Sequence, residues 1–98
     1  MADEPKEPTE EELVAELEEE LRKLTHSDIL LQTAMTLSSL GFRKLSEDDR
    51  DLAQARVAIE GLKAIVPVLE GSVPEQTARD LQQVIANLQL AYAQAAAA

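Results

Sequence analysis

The chain has no cysteine and no tryptophan, and only one phenylalanine, one tyrosine and three glycines among its 98 residues. Without cysteine no disulfide can staple the fold, and a reducing cytoplasm is the compartment that fits. Phe42 and Tyr92 alone are too few for a platform on which nucleic-acid bases stack. Gly41, Gly61 and Gly71 stand too far apart for a phosphate-cradling loop. Basic charge is scarce as well: nine Lys and Arg face nineteen Asp and Glu, for a net charge of −10. Direct binding to nucleic-acid phosphates needs clustered bases and is not expected. No nucleophile elbow, zinc-protease helix or carboxylate pair is present, so an enzyme is not expected, nor is a cofactor or a metal. No uncharged run reaches the ~20 residues that cross a bilayer. The acidic start, "MADEPKEPTEEE", has no apolar segment of the kind a signal peptide carries. These absences predict a soluble, cytoplasmic protein that does not engage a membrane.

A chain this short makes one small domain, hiding a little over ~60% of the surface it exposes when unfolded. Its charge is placed unevenly. Residues 1–20 hold ten acids against Lys6 alone, whereas residues 21–98 carry nine acids and eight bases. The body is nearly neutral and wears an acidic arm, which suits solubility or a basic partner protein.

Hydrophobic spacing divides the chain. Pro5 and Pro8 make residues 1–8 an extended, disordered lead. Thr9 with Glu12 reads as a capping box opening an acidic helix over residues 9–25. Leu13, Leu17, Leu21 and Leu24 give it one narrow apolar stripe, and Glu18 and Glu19 precede Arg22 and Lys23 by the four residues that favour pairing. "THSD" breaks the helix, and Thr25 with Asp28 can cap a second one running to about Leu45.

That second helix holds fourteen uncharged residues between Asp28 and Arg43, in a chain where 29% of residues are charged. Leu30, Ala34, Leu37, Gly41 and Leu45 fill one sector. Leu31, Met35 and Phe42 fill another, and Ile29 with Leu40 a third. Only Gln32, Thr36, Ser39 and Arg43 form a clearly polar strip. A helix apolar nearly all round is a buried helix. Gly41, with Ala34 and Ser38 nearby, predicts a close helix approach.

Ser46 with Asp49 reads as the cap of a third helix, patterned by Leu52, Ala55, Ile59, Leu62, Val66 and Leu69. A second apolar sector, Val57, Gly61, Ile65 and Val68, lies behind it. Pro67 predicts a kink or an early end, and Gly71 the stop. In "GSVPE", Ser72 is the expected cap of a fourth helix with Pro74 in its first turn and Glu75 completing the box. Ala78, Leu81, Ile85, Leu88 and Tyr92 carry that helix's stripe, and residues 95–98 form an alanine tail that extends or frays. Strand alternation is missing. The fold predicted is all-α: a small bundle of three core helices over residues 26–94, including an antiparallel α-hairpin, plus the acidic N-terminal helix.

Three groups could carry chemistry, and each has a plainer reading. His26, the only histidine, lacks a nucleophile or zinc-site partner and reads as a capping or surface residue. Asp48, Asp49 and Asp51 in "SEDDRD" could hold a hard cation but lack the glycine and glutamate of a calcium loop. The acids at residues 10–12 and 18–20 could mimic nucleic acid, and read first as a solvated face.

"DLAQARVAIEGLKAIVPVLEG", with a leucine-patterned helix ending "LQLAY" and the preceding "DILLQTAMTLSSLGFRKL", resembles the small bacterial proteins grouped as domain of unknown function 1844. The resemblance covers residues 28–92 and runs through Asp51, Leu52, Ala55, Arg56, Ile59, Glu60 and Leu62. Pro67 departs from it, and the acidic arm lies outside it. It implies a small helical domain, no catalytic residue, and genomic company with translation factors and ribosomal proteins.

Two functions follow as expectations. One is a non-catalytic protein–protein interaction module that forms a homodimer through the second helix, with Leu30, Leu31, Met35, Leu37, Phe42 and Ile65 as the interface. The other is an acidic adaptor whose Glu10, Glu11, Glu12, Glu18, Glu19 and Glu20 capture a basic, translation-related protein by salt-sensitive contacts.

Overall fold

The computed structural model describes residues 7–98. It is all-α over those residues: α1 spans Glu10–Lys23, α2 His26–Leu45, α3 Leu52–Leu69 and α4 Glu75–Ala97, with one 3-10 turn at Glu47–Asp49. Residues 1–6 of the expected extended lead lie outside the described residues, and residues 7–9 are non-helical.

The first two caps form where the hydroxyl residues predict them. Thr9 Oγ1 accepts from the Glu12 amide at 3.1 Å. At α2 the capping box is complete: the Asp28 amide donates to Thr25 Oγ1 at 3.1 Å, and the Thr25 amide to Asp28 Oδ2 at 3.0 Å. The next two expected caps do not form. Ser46 closes α2 instead, its amide and hydroxyl donating to the Arg43 carbonyl at 3.2 and 2.7 Å. With Ser46 committed backwards, "EDD" winds into the 3-10 turn and Asp51 caps α3, accepting from the Gln54 amide at 3.1 Å. Ser72 likewise turns back, its amide donating to the Leu69 carbonyl at 2.9 Å. Pro74 itself is then the residue before α4, with no side-chain cap, and Glu75 pairs with Arg79 at 2.7 Å.

Pro67 does not end α3 early. The helix continues through it to Leu69, because Val66 and Leu69 on either side are fully buried while the proline stands exposed. On that outer side the carbonyl its missing amide leaves free can be hydrated. Gly71, at φ +86°, then turns the chain in the left-handed region that side chains disfavour.

The core lies among α2, α3 and α4. Leu62, Val66, Leu69 and Leu88 are its fully buried large side chains, joined by Ala34, Ala55, Ile59, Leu81 and Ile85. No polar residue among those described is buried. Gly41 marks the closest approach: a Cβ placed there would stand 3.2 Å from Ala58 Cβ and 3.3 Å from Leu88 Cδ2. A Cβ on Gly61 would meet Leu37 Cδ1 at 3.2 Å. These two meetings set α2 and α3 antiparallel, as position 41 faces 58 and position 37 faces 61. Position 41 meets both Ala58 and Leu88, toward the far ends of two helices joined by the short turn 70–74, so α3 and α4 pack as the expected antiparallel hairpin. The alanine tail is partly structural: α4 reaches Ala97, and Ala95 is buried in the core.

α1 stands apart from this bundle, packing on none of α2, α3 or α4. The molecule measures 69 × 35 × 19 Å with a radius of gyration of 19.4 Å. A compact domain of this length has a radius nearer ~13 Å.

Candidate functional site

α2 buries one face and leaves the rest open. Ala34, Gly41 and Leu45 are buried, and Leu30, Leu31 and Leu37 pack half-buried against the chain's own core, as Ile65 does from α3. Four of the six expected interface residues are thus engaged within the chain. Met35 and Phe42 are the two that stay exposed. Within one chain α2 is not buried all round: α3 and α4 cover one face, and α1 packs on none of it.

The open part has two tracts. Met35 and Phe42 form a shoulder beside Leu31. On the opposite flank, Ile29, Thr33, Leu37 and Leu40 run along α2 at spacings of four, four and three. Val57, Gly61, Ile65 and Val68 run along α3 at spacings of four, four and three as well. Because Leu37 meets Gly61, the antiparallel register brings Leu40 level with Val57 and Ile29 level with Val68. The result is one apolar groove, floored by Gly61. Its walls keep 52% (Ile29), 48% (Leu40), 59% (Val57) and 63% (Val68) of their surface exposed. Ile29, Leu40, Val57 and Val68 were each visible as apolar sectors in the sequence. Their convergence was not, since it depends on the α2–α3 register.

α1 is a third uncovered apolar surface. Leu13, Val14, Leu17, Leu21 and Leu24 are all about half or more exposed. Glu10, Glu11, Glu12, Glu18, Glu19 and Glu20 are exposed around them, and the pairing formed is Glu19–Arg22 at 3.3 Å, three residues apart rather than four.

Of the groups considered for chemistry, Asp49 and Asp51 are held by structural bonds. Asp49 takes Lys44 Nζ and Arg43 Nε, each at 3.2 Å, which ties the 3-10 turn to the end of α2. The hydrogen bond and charge of Lys44, followed by Arg43, hold its carboxyl below the usual range. Asp28 is also held low, by its bonds with the Thr25 backbone and hydroxyl. Asp51 caps α3, and His26 is the exposed first residue of α2. Among the described residues no three His, Asp or Glu side chains converge. A depression of about 620 Å³ at the α3–α4 turn is open to solvent, with half-buried Val73 and Ala78 in its lining and its polar side chains, Glu70, Arg79 and Gln82, all exposed. Small-molecule sites instead place a few polar groups in an enclosed apolar wall. Among the described residues no helix is long and apolar enough to cross a membrane.

No family model, curated protein or solved structure matches the chain. The resemblance over residues 28–92 rests on its own residues.

Proposed function

We propose that this protein is a non-catalytic helical module that self-associates through the uncovered apolar surface of α2. The observation that carries the reading is the groove between α2 and α3 together with the Met35–Phe42 shoulder. Scattered exposed hydrophobics are normal on a monomer, whereas contiguous tracts of them mark interaction surfaces. Small size points the same way, because a three-helix core of this length gains stability by burying more surface in an oligomer.

The test is the unfolding midpoint as a function of protein concentration. Association stabilises by mass action, so the midpoint in urea rises with concentration for the unmodified chain. Leu40→Glu with Val57→Glu, both at exposed positions, leaves the helical content intact and makes the midpoint independent of concentration. A midpoint that is already constant for the unmodified chain refutes the reading.

A second reading has one observation behind it. The carboxylates on the outer side of α1 are free of the bundle and stay in water whether or not the leucine stripe is covered. A basic, translation-related protein, in keeping with the resemblance, would be held there. Salt-sensitive binding that vanishes when residues 1–24 are removed supports it, and equal binding by the shortened chain sinks it.

A further inference from the structure

Two uncovered surfaces of this chain fit each other. The stripe from Leu13 to Leu24, the residue that closes α1, spans eleven residue steps, or ~16 Å. The groove from Ile29 to Leu40 spans eleven as well. Both follow the spacings four, four and three, with Thr33 the one polar position, and neither is covered. A lone helix of fourteen residues is marginal in water, so α1 needs a surface to lie on.

The link between α1 and α2 decides whose groove it is. Only Leu24 and Thr25 separate the helices, and both are extended, at φ −77°, ψ 135° and φ −97°, ψ 161°. Neither is a glycine, and Thr25 is locked in the capping box of α2. Folding α1 back on its own bundle would require two such residues to reverse the chain and give up that box. A short, stiff hinge of this kind favours exchange of the element with another copy. We infer that the leucine stripe of α1 seats in the α2–α3 groove of a second copy, each chain lending its arm to the other in a two-fold dimer. This rests on the self-association reading and names its occupant.

Size agrees. Per chain the exchange covers nine large apolar side chains, five on α1 and its closing residue Leu24 and four on the groove, each about half exposed. At ~50 Å² of apolar surface apiece this is ~450 Å². With apolar atoms supplying ~57% of an interface, each chain buries ~800 Å², the size of a stable one. Laid antiparallel to the second copy's α2, α1 brings Leu24 level with Ile29 and Leu13 level with Leu40. Its first turn, Glu10–Glu12, then reaches the groove end that carries Arg43, Lys44 and Arg50. Among the described residues Arg50 has no ion pair, its guanidinium donating to the Leu45 carbonyl at 3.1 Å. Glu47, Asp48, Asp49 and Asp51 on the adjoining turn outnumber these three bases, and Asp49 already pairs with Arg43 and Lys44, so charge does not set the orientation. Orientation therefore comes chiefly from the apolar match and the direction of the hinge.

The absence of cysteine allows a clean test in the full chain. In the antiparallel register Glu20 of one copy lies level with Thr33 of the other, and both positions are exposed. The chain carrying Glu20→Cys and Thr33→Cys, oxidised at a concentration where light scattering gives the dimer mass, should form a covalent dimer closed by two disulfides. Glu19→Cys with Thr33→Cys, on the far side of α1, should form at least tenfold less. Leu17→Glu should raise the dimer dissociation constant about a hundredfold, as each dimer loses two docked leucines. A monomer with an internal disulfide overturns the exchange in favour of each chain's own arm. A dimer by light scattering without the Glu20–Thr33 disulfide overturns the exchange but leaves self-association standing. A monomer with free thiols overturns both.

Discussion

Gly41 and Gly61 both sit inside helices where an alanine would ordinarily stabilise by ~1 kcal/mol. The structure predicts opposite outcomes for them. At Gly41 the new methyl would meet Ala58 Cβ at 3.2 Å and Leu88 Cδ2 at 3.3 Å. Ala58 Cβ is fixed to its backbone and Leu88 is fully buried, so α2 has to move away from its neighbours. Overpacking of this kind costs ~1–3 kcal/mol, which outweighs the helix gain and leaves Gly41→Ala destabilised by about 1 kcal/mol. At Gly61 the methyl meets only Leu37 Cδ1, the far end of a half-buried side chain that can swing aside. Gly61→Ala should therefore gain ~0.5–1 kcal/mol. Urea unfolding followed by circular dichroism, at one dilute protein concentration, should separate the two midpoints by ~1–2 M. Ala58→Gly should recover part of the Gly41→Ala loss, because it removes the fixed contact. Equal stabilisation at both glycines would refute the close α2–α3–α4 approach on which the groove's register depends.

Removing the Asp51 cap by Asp51→Ala should cost ~1 kcal/mol, whereas Ser72→Ala, which removes no side-chain bond at α4, should stay within ~0.5 kcal/mol; thermal unfolding reads both. The Asp28 and Asp49 carboxyls are held below their ordinary value of 3.8 in the folded chain. Their contribution is thus fully present above that pH and is lost as the pH falls below it through the folded values. A urea series at descending pH should show stability dropping below about pH 4, and the drop should be shallower for Asp28→Asn with Asp49→Asn.

The helices were readable because their signals are local. Periodic leucines, the Thr9 and Thr25 caps and Gly71 place four helices within a few residues of where they lie. The misplaced caps have a common cause. Ser46 and Ser72 have the right neighbours for capping the helix ahead, yet each uses its bonding groups to finish the helix behind. Residue spacing alone does not say which of two helix ends a serine serves. The surface was readable only in halves. Composition showed that α2 has more apolar positions than one face can hold, and that α3 has a second apolar sector. That Leu37 lies on Gly61, joining the two sectors into one groove, is a tertiary fact with no local signal. A helical wheel shows sectors but not which neighbour covers them, so it could not tell that Leu30, Leu31, Leu37 and Ile65 are half-buried against the chain's own core while Met35 and Phe42 stay exposed.

Self-association is the claim on which the account turns, and the solution mass of the untagged chain is the measurement nearest to it. Light scattering across a hundredfold range of concentration should give twice the chain mass of 10.7 kDa, falling toward the monomer only at the dilute end. Leu40→Glu with Val57→Glu should give the monomer mass throughout while remaining helical. A folded monomer at every concentration, for the unmodified chain, would contradict the account and leave the groove to a different protein.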